Sequence, residues 1–143
     1  MPGCWEGPGG SHEADQDGTL LDGVVREVLE ETGLHVSRIV ELAGVDGWTH
    51  QRRSDGQFFR VAKYSFIVEV YESMRELSGS SQLVPRSDIP VVLEVGAHDL
   101  FEWATEEDVR ASLQPGAGRF KFGPLVGPIV ARTFLLNRES KQK

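Results

Sequence analysis

The nine residues Arg26-Glu27-Val28-Leu29-Glu30-Glu31-Thr32-Gly33-Leu34 constrain this chain more than any other stretch. Leu21, Val24, Val25, Val28 and Leu29 recur at the i, i+3, i+4, i+7, i+8 spacing of an amphipathic helix, which predicts a helix over about 19–32. Thr19 followed by Asp22 is a capping-box pattern for its start. Gly33 sits where a left-handed residue closes a helix. At about 100° per residue, Glu27, Glu30 and Glu31 fall inside a roughly 100° arc, so three carboxylates project from one face. Three like charges so close repel one another, and a hard divalent cation held by carboxylate oxygens would supply the missing attraction. This points to metal-assisted phosphate chemistry, the bland alternative being a solvated acidic helix face. Arg26, four residues before Glu30, could brace it.

The residues on either side extend the pattern. Trp5-Glu6-Gly7-Pro8-Gly9-Gly10, then Glu13, then Arg26 to Leu34, resemble the Nudix hydrolase signature G-x5-E-x7-R-E-U-x-E-E-x-G-U, where U is aliphatic. The second half matches at Arg26, Glu27, Val28, Glu30, Glu31, Gly33 and Leu34. The first half departs: fifteen residues, 11–25, separate Gly10 from Arg26 where the pattern has thirteen, and Gly18 stands where the family has Glu. Asp17 and Glu13 are the candidates to replace that glutamate. Downstream, His98 to Glu107 is similar to the strand and turn that lead many Nudix domains into a later helix.

The resemblance implies an α+β fold, an α/β/α sandwich with a mixed sheet between helices, and a box (10–34) whose helix bears the metal site. It implies hydrolysis of a nucleoside diphosphate linked to another moiety, by a Mg²⁺- or Mn²⁺-dependent attack of water on phosphorus. Glu27, Glu30 and Glu31 would hold the metal, Arg26 would orient a carboxylate, and Gly10 would offer its backbone carbonyl. The alternative is a degenerate domain that binds a nucleotide or a protein partner without turnover. Family members usually carry a strand or two before the Trp-Glu-x-Pro-Gly segment, so an N-terminally truncated sheet is expected. Its open edge would either recruit a second copy into a homodimer or leave the protein partly unfolded.

With 143 residues, a single domain over 1–143 is expected. The net charge of −7 argues against general nucleic-acid binding but not against a small nucleotide diphosphate. No apolar run is long enough to span a membrane. The single cysteine, Cys4, suits a reducing, cytoplasmic compartment.

Further along, Val36 to Val45 reads as a strand ended by an Asp46-Gly47 turn, and Gln57 to Tyr71 as a second strand after Asp55-Gly56. Residues 73–90 read as a mobile loop. Pro90 to Val95 and Leu100 to Trp103 read as short strands. Thr105 with Asp108 caps another helix, 114–118 is a break, and Pro124 opens a last helix to about 136, followed by a frayed polar tail. Trp48 and Phe59 are candidates to stack on a base, with core packing the commoner fate for Phe59. His98 is a candidate for proton transfer or substrate contact, although histidines at such junctions are more often structural.

Overall fold

A computed structural model of the chain describes residues 3–77, 80–116 and 118–140. The elements run in the order α1 (Leu20–Thr32), β1 (Val36–Gln51), β2 (Phe58–Val70), β3 (Met74–Leu77), β4 (Ser80–Leu83), α2 (Glu106–Ser112) and α3 (Val126–Ser140). Helices and antiparallel hairpins together make the α+β fold expected. Among the described residues, the strands form two two-stranded sheets, β1–β2 and β3–β4. Among the described residues, a parallel element enters at an isolated bridge between Trp5 and Phe122.

Tertiary contacts divide the chain into two compact units. One holds Met1–Trp5, Glu41–Ile67 and Thr105–Lys143; the other holds Glu6–Val40 and Val68–Ala104. The β1–β2 hairpin contributes its turn end to the first and its open end to the second.

In the first unit, the turn joining β1 to β2 is closed by Arg52 N–H donating to the Gln57 carbonyl at 2.8 Å and Gly56 N–H donating to the Arg52 carbonyl at 2.9 Å. So short a connection leaves only an antiparallel pairing. β1 runs straight through Asp46-Gly47, which the sequence suggests as a turn. Gly47 instead serves close approach: a Cβ there would lie 3.3 Å from the Val61 carbonyl oxygen on the facing strand. α2 begins at the Thr105–Asp108 capping box as expected. α3 begins at Val126, after Pro124, because Leu125 takes the left-handed region at φ 70° and breaks the helix there. It continues to Ser140, past the expected end, while residues 141–143 of the anticipated tail lie outside the described residues. Residue 117 of the expected 114–118 break also lies outside them. Ala43, Val109 and Phe120 are the buried apolar residues of this unit, with Trp5 packed edge-on against Phe120 at 5.2 Å.

In the second unit, β3 and β4 pair antiparallel, Met74 opposite Leu83 and Leu77 opposite Ser80. The 73–90 segment therefore carries a hairpin and a 3₁₀ turn at Arg86–Asp88 where the composition suggests a loop. Strand pairing is a partner effect that Ser-Gly-rich composition does not reveal; Ser78 and Gly79, between the two strands, lie outside the described residues. The strands expected at 90–95 and 100–103 are absent among the described residues. Val92 N–H donates instead to the Thr32 carbonyl at 2.9 Å, and Val95 is fully exposed. No sheet neighbour is in place to convert this apolar run into a ladder.

α1 is built as its residues dictate. Thr19 and Asp22 form the reciprocal capping box, and Gly33, at φ 69°, donates its N–H to the Leu29 carbonyl at 2.8 Å. Val28 is buried, but Leu21, Val25 and Leu29 stay about two-fifths exposed, so only one edge of the expected apolar stripe is covered. No helix of the described residues is long and apolar enough to cross a membrane.

Candidate active site

The loop before α1 folds back on the helix through Arg26. Its guanidinium grips Asp17 with two parallel bonds, Nε to Oδ1 at 3.0 Å and a terminal nitrogen to Oδ2 at 2.9 Å. That terminal nitrogen also donates to the Ser11 carbonyl at 3.0 Å. The other donates to Glu27 Oε1 at 2.8 Å and to Glu30 Oε2 at 2.9 Å. One cation thus gathers three carboxylates and a backbone carbonyl, in the fork geometry at which arginine excels.

Asp17 is the buried member of this cluster, 5 % exposed. The Arg26 bonds, followed by the backbone of the Glu13 turn, hold its carboxyl down to about 2 from an ordinary 3.8. Its carboxylate in turn raises the pKa of Arg26. The longer loop is taken up by a turn, with Gln16 and Asp17 N–H groups donating to the Glu13 carbonyl at 2.9 and 2.7 Å and Glu13 N–H returning to Asp17 Oδ2 at 2.8 Å. The Glu13 side chain bonds Gln16 instead. Of the two candidates for the absent glutamate, Asp17 is the one set against Arg26.

Two glycines make these contacts sterically possible. A Cβ at Gly10 would overlap the Glu27 carboxylate, and one at Gly23 would lie 3.0 Å from Asp17 Oδ2. Gly23 escapes a motif reading, yet a glycine inside a helix costs about 1 kcal/mol against alanine, which is itself a signal that something packs closely there.

Glu31 has different company. Its Oε2 accepts the Gly9 N–H at 2.7 Å. Its Oε1 faces His98 Nε2 at 3.1 Å, yet this buried ring nitrogen makes no hydrogen bond among the described residues. His98 arrives on a segment docked to the last turn of α1, where Glu94 N–H donates to the Glu31 carbonyl at 3.4 Å.

The structure therefore brings Gly9, Gly10, Asp17, Arg26, Glu27, Glu30, Glu31 and His98 into one unit. Trp48 and Phe59 belong to the other. Both are exposed, Phe59 with His50 edge-on at 5.1 Å and the Arg52 guanidinium 5.7 Å from its ring centre, so Phe59 is not the core residue its type suggests. A surface hollow lined by Glu106, Glu107, Arg110, Ala111 and Gln114 lies on α2, where Arg110 is already bonded to Glu106.

As the side chains stand, no three of His, Cys, Asp and Glu among the described residues are grouped closely enough to hold a metal ion. The donor chemistry nonetheless fits a hard cation. Glu27 and Glu30 converge on a single guanidinium nitrogen, which shows that the two carboxylates can share one positive charge. The candidate ligands are all oxygens, the preference of Mg²⁺.

A family model of the NUDIX domain matches residues 1–121. The chain belongs to the Nudix family, whose domains as a class are pyrophosphohydrolases that act on small nucleotide substrates and generally use divalent metals such as Mg²⁺. Comparison with curated proteins finds no match, and neither does comparison with solved structures.

Proposed function

We propose that this protein hydrolyses a nucleoside diphosphate linked to another moiety, at its phosphoanhydride bond, with Mg²⁺ or Mn²⁺ held by Glu27, Glu30 and Glu31 and by the carbonyl of Gly10. The observation that carries the reading is the convergence of Glu27 and Glu30 on one positive point, beside a third carboxylate one residue on. A divalent cation held there would supply charge to offset diphosphate oxygens and would lower the pKa of a water. The chain's own part is positional. Arg26 steadies Glu27 and Glu30, Asp17 anchors Arg26 in place of the family glutamate, and Gly9 N–H steadies Glu31. One of the three glutamates takes the proton from the attacking water.

A second reading, binding without turnover, draws on the same cluster: Arg26 is already bonded to Glu27 and Glu30, so part of their charge is met without a metal. Two measurements separate the readings. Calorimetric titration with Mn²⁺ is expected to show binding, and phosphate release from a panel of nucleoside diphosphate derivatives is expected to show metal-dependent turnover. Binding of nucleotide with no release across the panel favours the second reading; absence of both metal and nucleotide binding overturns the hydrolase reading and leaves, of the second, the binding of a protein partner.

A further inference from the structure

We infer that His98 is a positioning residue for Glu31, one half of a two-sided hold that presents this carboxylate to a divalent cation. The inference rests on the hydrolase reading above and assigns His98 a part in it other than substrate contact.

Glu31 is approached at both carboxylate oxygens. Gly9 N–H donates to Oε2 at 2.7 Å, and His98 Nε2 stands 3.1 Å from Oε1. The Glu31 side chain is 12 % exposed and that of His98 27 %, so water has little room to replace either partner. A buried ring nitrogen without a hydrogen bond is costly and rare enough to require a reason. Here the Glu31 carboxylate already stands at hydrogen-bond distance, 3.1 Å from Nε2, and is the acceptor the inference assigns to it. The role needs only the neutral ring with its proton on Nε2.

Backbone bonds fix where the ring sits. Val92 N–H to the Thr32 carbonyl (2.9 Å) and Glu94 N–H to the Glu31 carbonyl (3.4 Å) dock the segment on the C-terminal turn of α1; His98 N–H to the Glu94 carbonyl (3.5 Å) then curls the chain so that the ring meets Glu31. Substrate contact through Nε2 fits poorly, because that atom is buried against the carboxylate. Groups that bond a metal's carboxylate ligands orient them, and losing such a group commonly costs about 10- to 100-fold in metal affinity.

The test uses the full chain, Mn²⁺ calorimetry and thermal melting of His98→Ala, His98→Gln and His98→Asn. Glutamine can place an amide N–H close to the position of Nε2, whereas asparagine is too short. His98→Ala is expected to weaken Mn²⁺ binding about tenfold or more, His98→Gln to recover most of it, and His98→Asn to stay weak, with melting temperatures of Gln and Asn alike. Parental affinity in His98→Ala overturns the inference alone. So does an equal loss in all three variants that tracks a lowered melting temperature, which would make His98 mere packing. If His98→Ala does not fold, the Gln and Asn variants decide, and equal affinities in that pair overturn the inference. Absence of Mn²⁺ binding in the parent overturns the hydrolase reading and this inference with it.

Discussion

Glu30 and Glu31 are sequence neighbours on α1, yet they live in contrasting surroundings. Glu30 shares Arg26 with Glu27 and Asp17, its side chain half exposed. Glu31 is mostly buried, bonded to a backbone N–H and facing an imidazole. On the Arg26 side the protein supplies one cation to the three carboxylates of Asp17, Glu27 and Glu30. The Glu31 side is polar and oriented by the Gly9 N–H and the facing His98 ring. The difference teaches that one acidic arc on a helix can divide into a half that also pins the loop through Arg26 and a half set by a backbone N–H and a facing imidazole, and a metal held by all three glutamates would draw on both.

The largest expected effect is on the Glu31 side. Glu31→Gln should weaken Mn²⁺ binding strongly and, on the substrate that turns over, lower the rate by about 10²-fold or more, as loss of one preorganised electrostatic group commonly does. Glu30→Gln should cost less in metal affinity, because Glu30 is more exposed and tied to Arg26. Calorimetry and rates that rank the two the other way would break the comparison.

Next comes Arg26→Ala, which strands the buried Asp17 carboxylate without its cation. It should lower the melting temperature by at least about 5 °C, more than any single Glu→Gln change on the arc. A melting curve matching the parent would show that the loop is pinned by something else.

Asp17 sharpens this through pH. Its folded pKa lies below its ordinary value, so its contribution to stability is full above about 4 and is lost as pH falls through about 2. Asp17→Asn should therefore melt below the parent at neutral pH, and the gap should narrow as the pH is taken from about 4 towards 2. A gap that stays constant with pH would mean that packing on Gly23, rather than the ion pair, holds Asp17.

The smallest effect is expected at Gly33, which closes the helix next to Val92 on the segment that carries His98. Gly33→Ala forces a left-handed residue (φ 69°) and sets a Cβ 3.3 Å from Val92 Cβ. A loss of roughly 1 kcal/mol is expected in denaturant unfolding. If Mn²⁺ affinity falls with it, the 92–98 segment is coupled to Glu31, as the His98 contact requires; unchanged affinity would separate helix closure from the site.

Legibility followed the range of the interactions. The Thr19–Asp22 and Thr105–Asp108 caps and the Gly33 closure are contacts within a few residues of one another, so composition and spacing sufficed for them. Asp46-Gly47 read as a turn, but cross-strand pairing drew it into β1. The apolar runs 90–95 and 100–103 looked like strands, yet a strand exists only where a neighbour accepts its hydrogen bonds. Residues 73–90 show the reverse: unremarkable composition that pairs because β3 finds β4.

From the sequence alone came the acidic arc of Glu27, Glu30 and Glu31, the helix that bears it, the resemblance to the Nudix family and the shortlist of Asp17 and Glu13. These depend on helical periodicity and local spacing, which the chain carries wherever it folds. Only tertiary structure chose Asp17, because that choice depends on which carboxylate reaches both donors of the Arg26 fork while Gly23 leaves room for it. It alone set His98 against Glu31, since residues far apart in the chain meet only when backbone bonds dock one segment on another.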